Sequence, residues 1–319
     1  TQRFVVRPIL QSAATDAMTF VWETARPGSG VVEYGATLPY TERSSLGSEG
    51  TLHEIRVSGL KPGTPYFYRV KTLAPDGSEI VSDDLTFQTA VTPDTPFAFT
   101  MIGDTQKNKP VIAALQTFAY SLRPNFEIHL GDVVNTGADR NEWTDELLDA
   151  SWPLMSRACM FPAIGNHESE KSTELADYAL RFFGGAGFDG GETYYRFETA
   201  GIHFFSLNTQ ESIGQGSAQA TWLEGKLIEA EQSPGFRFSI VFFHKPLLTC
   251  GDTDDNPPAR AYLEPLFLAH KVPLILGAHM HGYERFELDN GLTYITTAGG
   301  GGLMGDVDKN VARDYCDKR

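Results

Sequence analysis

Leu276-Gly277-Ala278-His279-Met280-His281-Gly282 closes an apolar run that begins at Pro273. A short, continuous apolar run is the pattern of a strand buried on both faces. In extended chain, side chains two residues apart point the same way, so His279 and His281 face one side together. Neutral imidazole is the commonest protein ligand for metals. The pair therefore suits a metal site, or equally a polar loop with two solvated rings. Taken alone, the stretch does not separate the two.

Working outward from this stretch, the same arrangement recurs along residues 96–319. Apolar runs at 97–102, 126–130, 160–164 and 236–243 end in Gly103-Asp104, Gly131-Asp132, Gly165-Asn166-His167 and His244. Between them lie segments of helical period: Val111, Leu115, Phe118, Ala119 and Leu122, then Trp143, Leu147 and Leu148, then Leu175, Tyr178, Ala179 and Phe182. Further helices are expected over 219–231 and 261–270, a hairpin over 194–198 and 202–207, and a last strand over 292–297. Strands alternating with helices predict an α/β fold in which helices cover sheets. In such folds ligands bind at the carboxyl ends of the strands. Here those ends carry Asp104, Asp132, Asn166 with His167, His244, and His279 with His281, all of them residue types that bind metals.

Two aspartates, an asparagine and three histidines form a mixed oxygen and nitrogen donor set. The set lacks thiolate, unlike a structural zinc site, and holds too many imidazoles for a calcium or magnesium cage. It suits two transition ions about 3.5–4 Å apart with a shared carboxylate, an arrangement that ionises water next to a phosphoester.

Gly103-Asp104-Thr105, Gly131-Asp132-Val133-Val134-Asn135, Gly165-Asn166-His167-Glu168, Val241-Phe242-Phe243-His244 and Gly277-Ala278-His279-Met280-His281 resemble, in order, the motif blocks of calcineurin-like metallophosphoesterases. With Gly282-Tyr283-Glu284-Arg285 and the all-β segment in front, the chain is similar to purple acid phosphatases within that superfamily. The resemblance implies a four-layer α/β/β/α sandwich. It also implies a dinuclear centre of divalent or trivalent ions (Fe, Zn or Mn), with Asp104, Asp132 and His281 on one ion and Asp132, Asn166, His244 and His279 on the other. His167 takes the role of the acid that protonates the leaving oxygen, and the nucleophile is a metal-bound hydroxide attacking phosphorus in line. The implied substrate is a small phosphate monoester. A phosphodiesterase acting on cyclic nucleotides or lipid headgroups would use the same blocks, and a surface binding or adhesion protein is the non-enzymatic alternative.

Two positions depart from the family pattern. Purple acid phosphatases have a tyrosine where Asn135 stands, and Asn135 cannot supply the phenolate that gives the colour, so a non-purple enzyme is expected. Gln106 stands where many relatives outside the purple group place a histidine. Its amide oxygen either joins the first metal or bonds to a ligand or water. Glu168 is expected to orient His167 or a water, and His129 to be core or to support a ligand.

The first ninety residues read differently. Short alternating segments at 18–23, 31–34, 53–57, 66–71 and 84–88 are separated by Arg26-Pro27-Gly28, Lys61-Pro62-Gly63 and Pro75-Asp76-Gly77. That punctuation predicts an antiparallel sandwich over residues 1–92. Leu60-Lys61-Pro62-Gly63-Thr64-Pro65-Tyr66 resembles the corner of fibronectin type III domains, with the Tyr66 hydroxyl bonded back to nearby backbone. Trp22 is expected in the core, and the lone His53 on a strand. The Thr- and Pro-rich segment 90–96 marks the domain boundary.

The formal net charge of -15 excludes a protein built to coat nucleic acid or an anionic membrane. No apolar run approaches a membrane span. The chain starts at Thr1, as a processed exported protein or a trimmed chain would, and a secreted or periplasmic location is expected. Of the three cysteines, Cys159 is expected as a buried thiol, while Cys250 and Cys316 lie in loop-like sequence and are candidates to pair. The run Gly299 to Gly302 reads as a flexible turn over the site, the segment 184–191 as a rim loop, and Asp252, Asp254 and Asp255 as a solvated acidic loop.

Overall fold

The computed structural model describes residues 2–169, 189–190, 193–251, 253–304 and 316. The helix expected around Leu175 to Phe182, most of the rim loop and Asp252 lie outside the described residues.

The N-terminal sandwich is built from β1 (Phe4–Gln11), β2 (Ala17–Gly35), β3 (Glu42–Arg43), β4 (Glu49–Ser58), β5 (Pro65–Leu73), β6 (Glu79–Val81) and β7 (Leu85–Gln88), all paired antiparallel. Sequence patterning splits β2 at Arg26-Pro27-Gly28, but the chain runs through as one strand. Ala25, Arg26 and Pro27 are exposed, and the pairing with β4 shifts register between Glu23 and Gly28. A register shift absorbs the extra residues without ending the strand. Before the shift β2 lies between β1 and β4, and beyond it pairs with β5. The core expected around Trp22 is present: Trp22 is fully buried, its indole Nε1 donates to Thr72 Oγ1 at 2.9 Å, and it stacks on the His53 ring at 4.9 Å. Burial holds the His53 pKa down at about 4. Tyr66 Oη accepts from the Lys61 backbone N–H at 3.0 Å, the tyrosine corner.

Two further sheets come after the sandwich. Strands β8 (Phe99–Ile102), β9 (Phe126–His129) and β10 (Cys159–Pro162) form a parallel sheet in the order β10-β9-β8. The other sheet contains β11 (Asp189–Gly190), β12 (Tyr195–Thr199), β13 (Ile202–Ser206), β14 (Phe238–Phe242), β15 (Leu274–Gly277), β16 (Tyr283–Glu287) and β17 (Thr293–Thr297), in the order β11-β12-β13-β14-β15-β17-β16. Its middle strands pair in parallel, and the β12–β13 and β16–β17 pairs are antiparallel.

Side chains alternate across a strand, and here both faces are apolar. Ile202, Phe204, Ile240, Phe242 and Leu276 pack with Phe126, Ile128 and Phe161 of the first sheet. Phe205, Val241, Phe243 and Ile275 pack on the other face with Leu223, Leu227, Leu263 and Phe267. Those residues belong to helices Ala218–Glu231 and Pro257–Ala269. The helix Lys109–Ser121 and the π-helix Trp143–Asp149 accompany the first sheet. The result is the expected order of helix, sheet, sheet and helix layers.

One helix turns differently from its pattern. Val111, Phe118 and Leu122 are exposed, and the inner face of Lys109–Ser121 is Ile112, Gln116 and Ala119. A buried hydrogen bond from Gln116 Nε2 to Glu127 Oε1, 2.7 Å, anchors that face.

The sandwich and the layered region share one core. Phe20, Trp22, Tyr68 and Phe87 belong to the same buried cluster as Phe126, Phe161 and Phe204. Tyr68 Oη donates to Ser156 O at 2.8 Å, Trp152 Nε1 to Pro8 O at 3.1 Å, and Arg140 Nη2 to Glu23 Oε2 at 2.6 Å. Cys250 and Cys316 form a disulfide with Cα atoms 5.7 Å apart, and Cys159 is a buried free thiol. Among the described residues no helix is long and apolar enough to cross a membrane.

Candidate metal centre

The loops that leave β8, β9, β10, β14 and β15 converge at one rim of the two sheets. Asp104, Asp132, His244 and His279 each present a ligand atom there, all within 4.8 Å of one another. Asn166 Oδ1 and His279 Nδ1 each lie 3.1 Å from His244 Nε2, and Asp132 Oδ2 lies 3.3 Å from it. His281 Nε2 is 3.1 Å from Asp104 Oδ1. All six residues read from the sequence as ligands are therefore gathered, with His167 Nε2 at 3.8 Å from Asp132 Oδ2.

The convergence demands unusual backbone. Asp104, Asp132 and His279 have φ of 57°, 52° and 67°. These left-handed values are unfavourable for residues with side chains, and they cluster at functional sites. Gly131, φ 91°, makes the turn before Asp132, where an added Cβ would stand 2.8 Å from His244 Nδ1. At Gly165 a Cβ would meet Asp132 Oδ1 at 2.1 Å. The turns are held by hydrogen bonds: Asp104 N to Gly131 O at 3.1 Å, Thr105 N to Asp132 O at 3.0 Å, and His279 N to Asp104 Oδ2 at 3.0 Å.

Two rings are aimed through their second nitrogen. His244 Nδ1 donates to Leu130 O at 2.8 Å, and His281 Nδ1 to Leu303 O at 2.5 Å. A carbonyl only accepts, so Nδ1 carries the proton in both and Nε2 is turned to the site, as in metal-ligating histidines. His279 differs and presents Nδ1.

Burial opposes charge at both Asp132 and His244. Even so, His244 and His167 hold Asp132 below the usual carboxylate range, while Asp132 and Asp104 hold His244 above the usual imidazole range. His279 is pushed down to about 4 by burial, then by His244. The pocket therefore concentrates oxygen and nitrogen lone pairs, with the Asp132 carboxylate held ionised and His279 held neutral. That donor chemistry fits metal cations.

Glu168 has a different job from the one its neighbour suggests. Its buried carboxylate takes backbone N–H groups from Asp132 and Val133, both 2.9 Å, from Gly165 at 2.8 Å and from Val134 at 3.3 Å. It staples the Asp132 loop to the Asn166 loop and does not orient the His167 ring. That ring is set by Asn135, whose carbonyl accepts from His167 Nδ1 at 2.6 Å. The Asn135 side chain donates to Thr136 Oγ1 at 3.2 Å. Gln106 is buried beside Asp104 in sequence, and its Oε1 has no hydrogen-bond partner. His129 is fully buried, with Nε2 3.0 Å from Thr105 Oγ1, a supporting position.

The glycine run is not loose. Gly300 N bonds Gly103 O and Gly302 N bonds Asp104 O, both at 3.0 Å, fixing the segment against the Asp104 turn. Sequence reading also missed the carbonyls of Leu130 and Leu303 and the carboxylate of Glu146, which accepts from Asn135 N at 2.9 Å. Contacts to backbone leave no residue-type signature in a sequence.

Comparison with known proteins accords with the fold. Residues 97–283, more than half of the chain, match the family described as calcineurin-like phosphoesterase. The chain belongs to that family. Residues 5–89 match the domain described as purple acid phosphatase, N-terminal domain. Purple acid phosphatase 22 of Arabidopsis thaliana is 24% identical over 292 residues, covering 85% of this chain and 64% of its own length. A phosphoenolpyruvate phosphatase of Allium cepa is 23% identical over 302 residues, covering 86% of this chain and 60% of its own. The chain thus spans less than two thirds of either relative. A purple acid phosphatase structure from yellow lupin (Lupinus luteus) seeds superposes with a TM-score of 0.80 at 17% identity, covering 95% of this chain and 66% of that one.

Proposed function

We propose that the protein is a dinuclear-metal hydrolase of small phosphate monoesters. The observation that carries this reading is the convergence of Asp104, Asp132, His244 and His279 donors within 4.8 Å, at the strand ends of a calcineurin-like fold. In this reading Asp104, Asp132 and His281 hold one transition ion, and Asp132, Asn166, His244 and His279 hold the other. The unpartnered Oε1 of Gln106 is a further candidate donor to the first. Iron, zinc and manganese all suit such a set. When bound, the ions lower the pKa of water and neutralise the phosphoryl oxygens.

The chain's own groups supply the rest. Asp132 Oδ1 accepts from the His167 backbone N–H at 3.0 Å and its Oδ2 is turned to His244, so Asp132 would be the carboxylate that both ions share. With its Nδ1 proton committed to Asn135 O, His167 would act as the imidazolium, handing its Nε2 proton to the departing alkoxide or phenoxide and ending as the neutral Nδ1–H ring. Asn135 offers no phenolate, so iron bound here would lack the tyrosinate charge-transfer band. The Cys250–Cys316 disulfide supports a secreted or periplasmic location.

The test is metal analysis of unsupplemented protein, followed by p-nitrophenyl phosphate and bis-p-nitrophenyl phosphate as paired substrates. Two equivalents of metal and preference for the monoester are expected. Preference for the diester would make the protein a phosphodiesterase, and a metal-loaded protein inert to both would make it a binding protein.

A further inference from the structure

Glu146 lies in the π-helix Trp143–Asp149. A single oxygen, Oε2, accepts two backbone N–H groups, from Asn135 at 2.9 Å and from Lys107 at 3.2 Å. The two donors belong to different loops. Lys107 follows Asp104 and Gln106, and Asn135 follows Asp132. Asn135 also supplies the carbonyl that receives His167 Nδ1 at 2.6 Å.

We propose that Glu146 is a positioning residue for His167. It fixes the N–H of Asn135 and, across the single α-carbon of that residue, the carbonyl on its far side, and so the direction in which the His167 ring points. The kinetic part of this inference rests on the phosphomonoesterase reading; the structural part does not.

Three observations support the assignment. First, the bracing closes a ring. Trp143 Nε1, from the same π-helix, donates to Gly137 O at 2.8 Å, and Gly137 N donates to His167 O at 2.9 Å. Segment 135–137 is thereby gripped at both ends by one helix and touches His167 through ring and backbone alike. Second, Lys107 has φ 72°, a left-handed value that a residue with a side chain holds only when its surroundings enforce it. The Glu146 bond to its amide is such a constraint. Third, the helix is of the wide, i to i+5 kind, which is rare in proteins and recurs at functional sites. A carboxylate is a stronger acceptor for amide N–H groups than a neutral oxygen, and here it serves both loops at once.

The experiment compares wild type, Glu146→Ala and Glu146→Gln as full-length, metal-loaded proteins. Metal content, kcat and KM are measured over a series from p-nitrophenyl to alkyl phosphates. Proton transfer to the leaving group matters most for alkyl phosphates. Glu146→Ala is expected to keep its metals and KM and to lose about 10–100-fold in kcat on alkyl phosphates, with little change on p-nitrophenyl phosphate. Glu146→Gln, which retains an acceptor oxygen, should recover most of that loss.

A readout independent of turnover is the His167 Nδ1–H resonance of zinc-loaded, nitrogen-15-labelled protein, assigned by its disappearance in His167→Asn. It should persist in wild type and Glu146→Gln and be lost to exchange in Glu146→Ala. If Glu146→Ala does not fold, Glu146→Met keeps the side-chain length without the acceptor and carries the same expectations. An unchanged His167 resonance, or equal kcat losses across all leaving groups, would overturn the assignment. A wild type inert to every phosphoester whose His167 resonance still depends on Glu146 would overturn the functional reading and leave the positioning role standing.

Discussion

The carbonyl oxygen of Asn135 lies 2.6 Å from Nδ1 of His167 and fixes that ring by one of its two nitrogens. A ring held by one nitrogen can work with only the other. This makes His167 separable from the residues that gather at the ion site.

Replacing His167 tests that separation. His167→Ala should keep the full metal complement and lose about 10²–10⁴-fold in kcat on alkyl phosphates, with a smaller loss on p-nitrophenyl phosphate. Steady-state kinetics over a leaving-group series checks it. Equal losses on good and poor leaving groups would show that His167 is not the acid.

Asp132 should behave in the opposite way. Its Oδ2 lies 3.3 Å from His244 Nε2 and its Oδ1 takes the His167 amide. Asp132→Ala removes the shared carboxylate, so metal content by elemental analysis and activity are expected to fall together. A variant that keeps both ions but is inactive would argue against a bridging role.

Glu127 gives a pH signature remote from the ion site. It is buried on β9, and its carboxylate accepts from Gln116 at 2.7 Å and from Thr100 at 3.0 Å. Burial raises its pKa to about 7, against the opposing pull of those two bonds. Between the ordinary carboxylate value and 7 the folded chain therefore binds more protons than the unfolded one. Stability should fall as pH rises through that window and level off above it, at a cost of order 3 kcal/mol. Glu127→Gln should remove this slope and be the more stable form at about pH 8. Urea melts from about pH 5 to 8 would show it, and parallel curves for the two proteins would refute it.

The disulfide gives the last prediction. Cys250 and Cys316 are 66 residues apart in sequence, and closing a loop of that length in the unfolded chain is worth about 4 kcal/mol. The double substitution of Cys250→Ser and Cys316→Ser should lower Tm by several degrees while leaving kcat at low temperature near wild type. Calorimetry of the two proteins side by side measures it.

The layered fold is legible in the sequence because its strands are apolar on both faces and end in Asp, Asn or His. Phe204 and Phe205, or Val241 and Phe242, give no alternation to misread, and they pack on opposite sides. The candidate ligands are legible for the same reason: each sits at a strand end. The path of β2 is not, since Arg26-Pro27-Gly28 carries turn chemistry that the register shift overrides. Nor is the inner face of Lys109–Ser121, where a buried Gln116–Glu127 hydrogen bond outweighs the exposure of Val111 and Phe118. The supports of the site are invisible for a further reason. Glu168 and Glu146 bind backbone amides as many as 39 residues away, and an amide is the same at every position.

Tyr68 donating to Ser156, with Trp22 and Phe87 inside the same apolar cluster as Phe126 and Phe161, makes the front sandwich inseparable from the layered region behind it. Cutting the chain near Pro96 would strip the cover from those phenylalanines and expose a wet, sticky flank. The N-terminal piece is thus less an appendage than a wall of the house, and anyone trimming this protein to a smaller catalyst should expect aggregate.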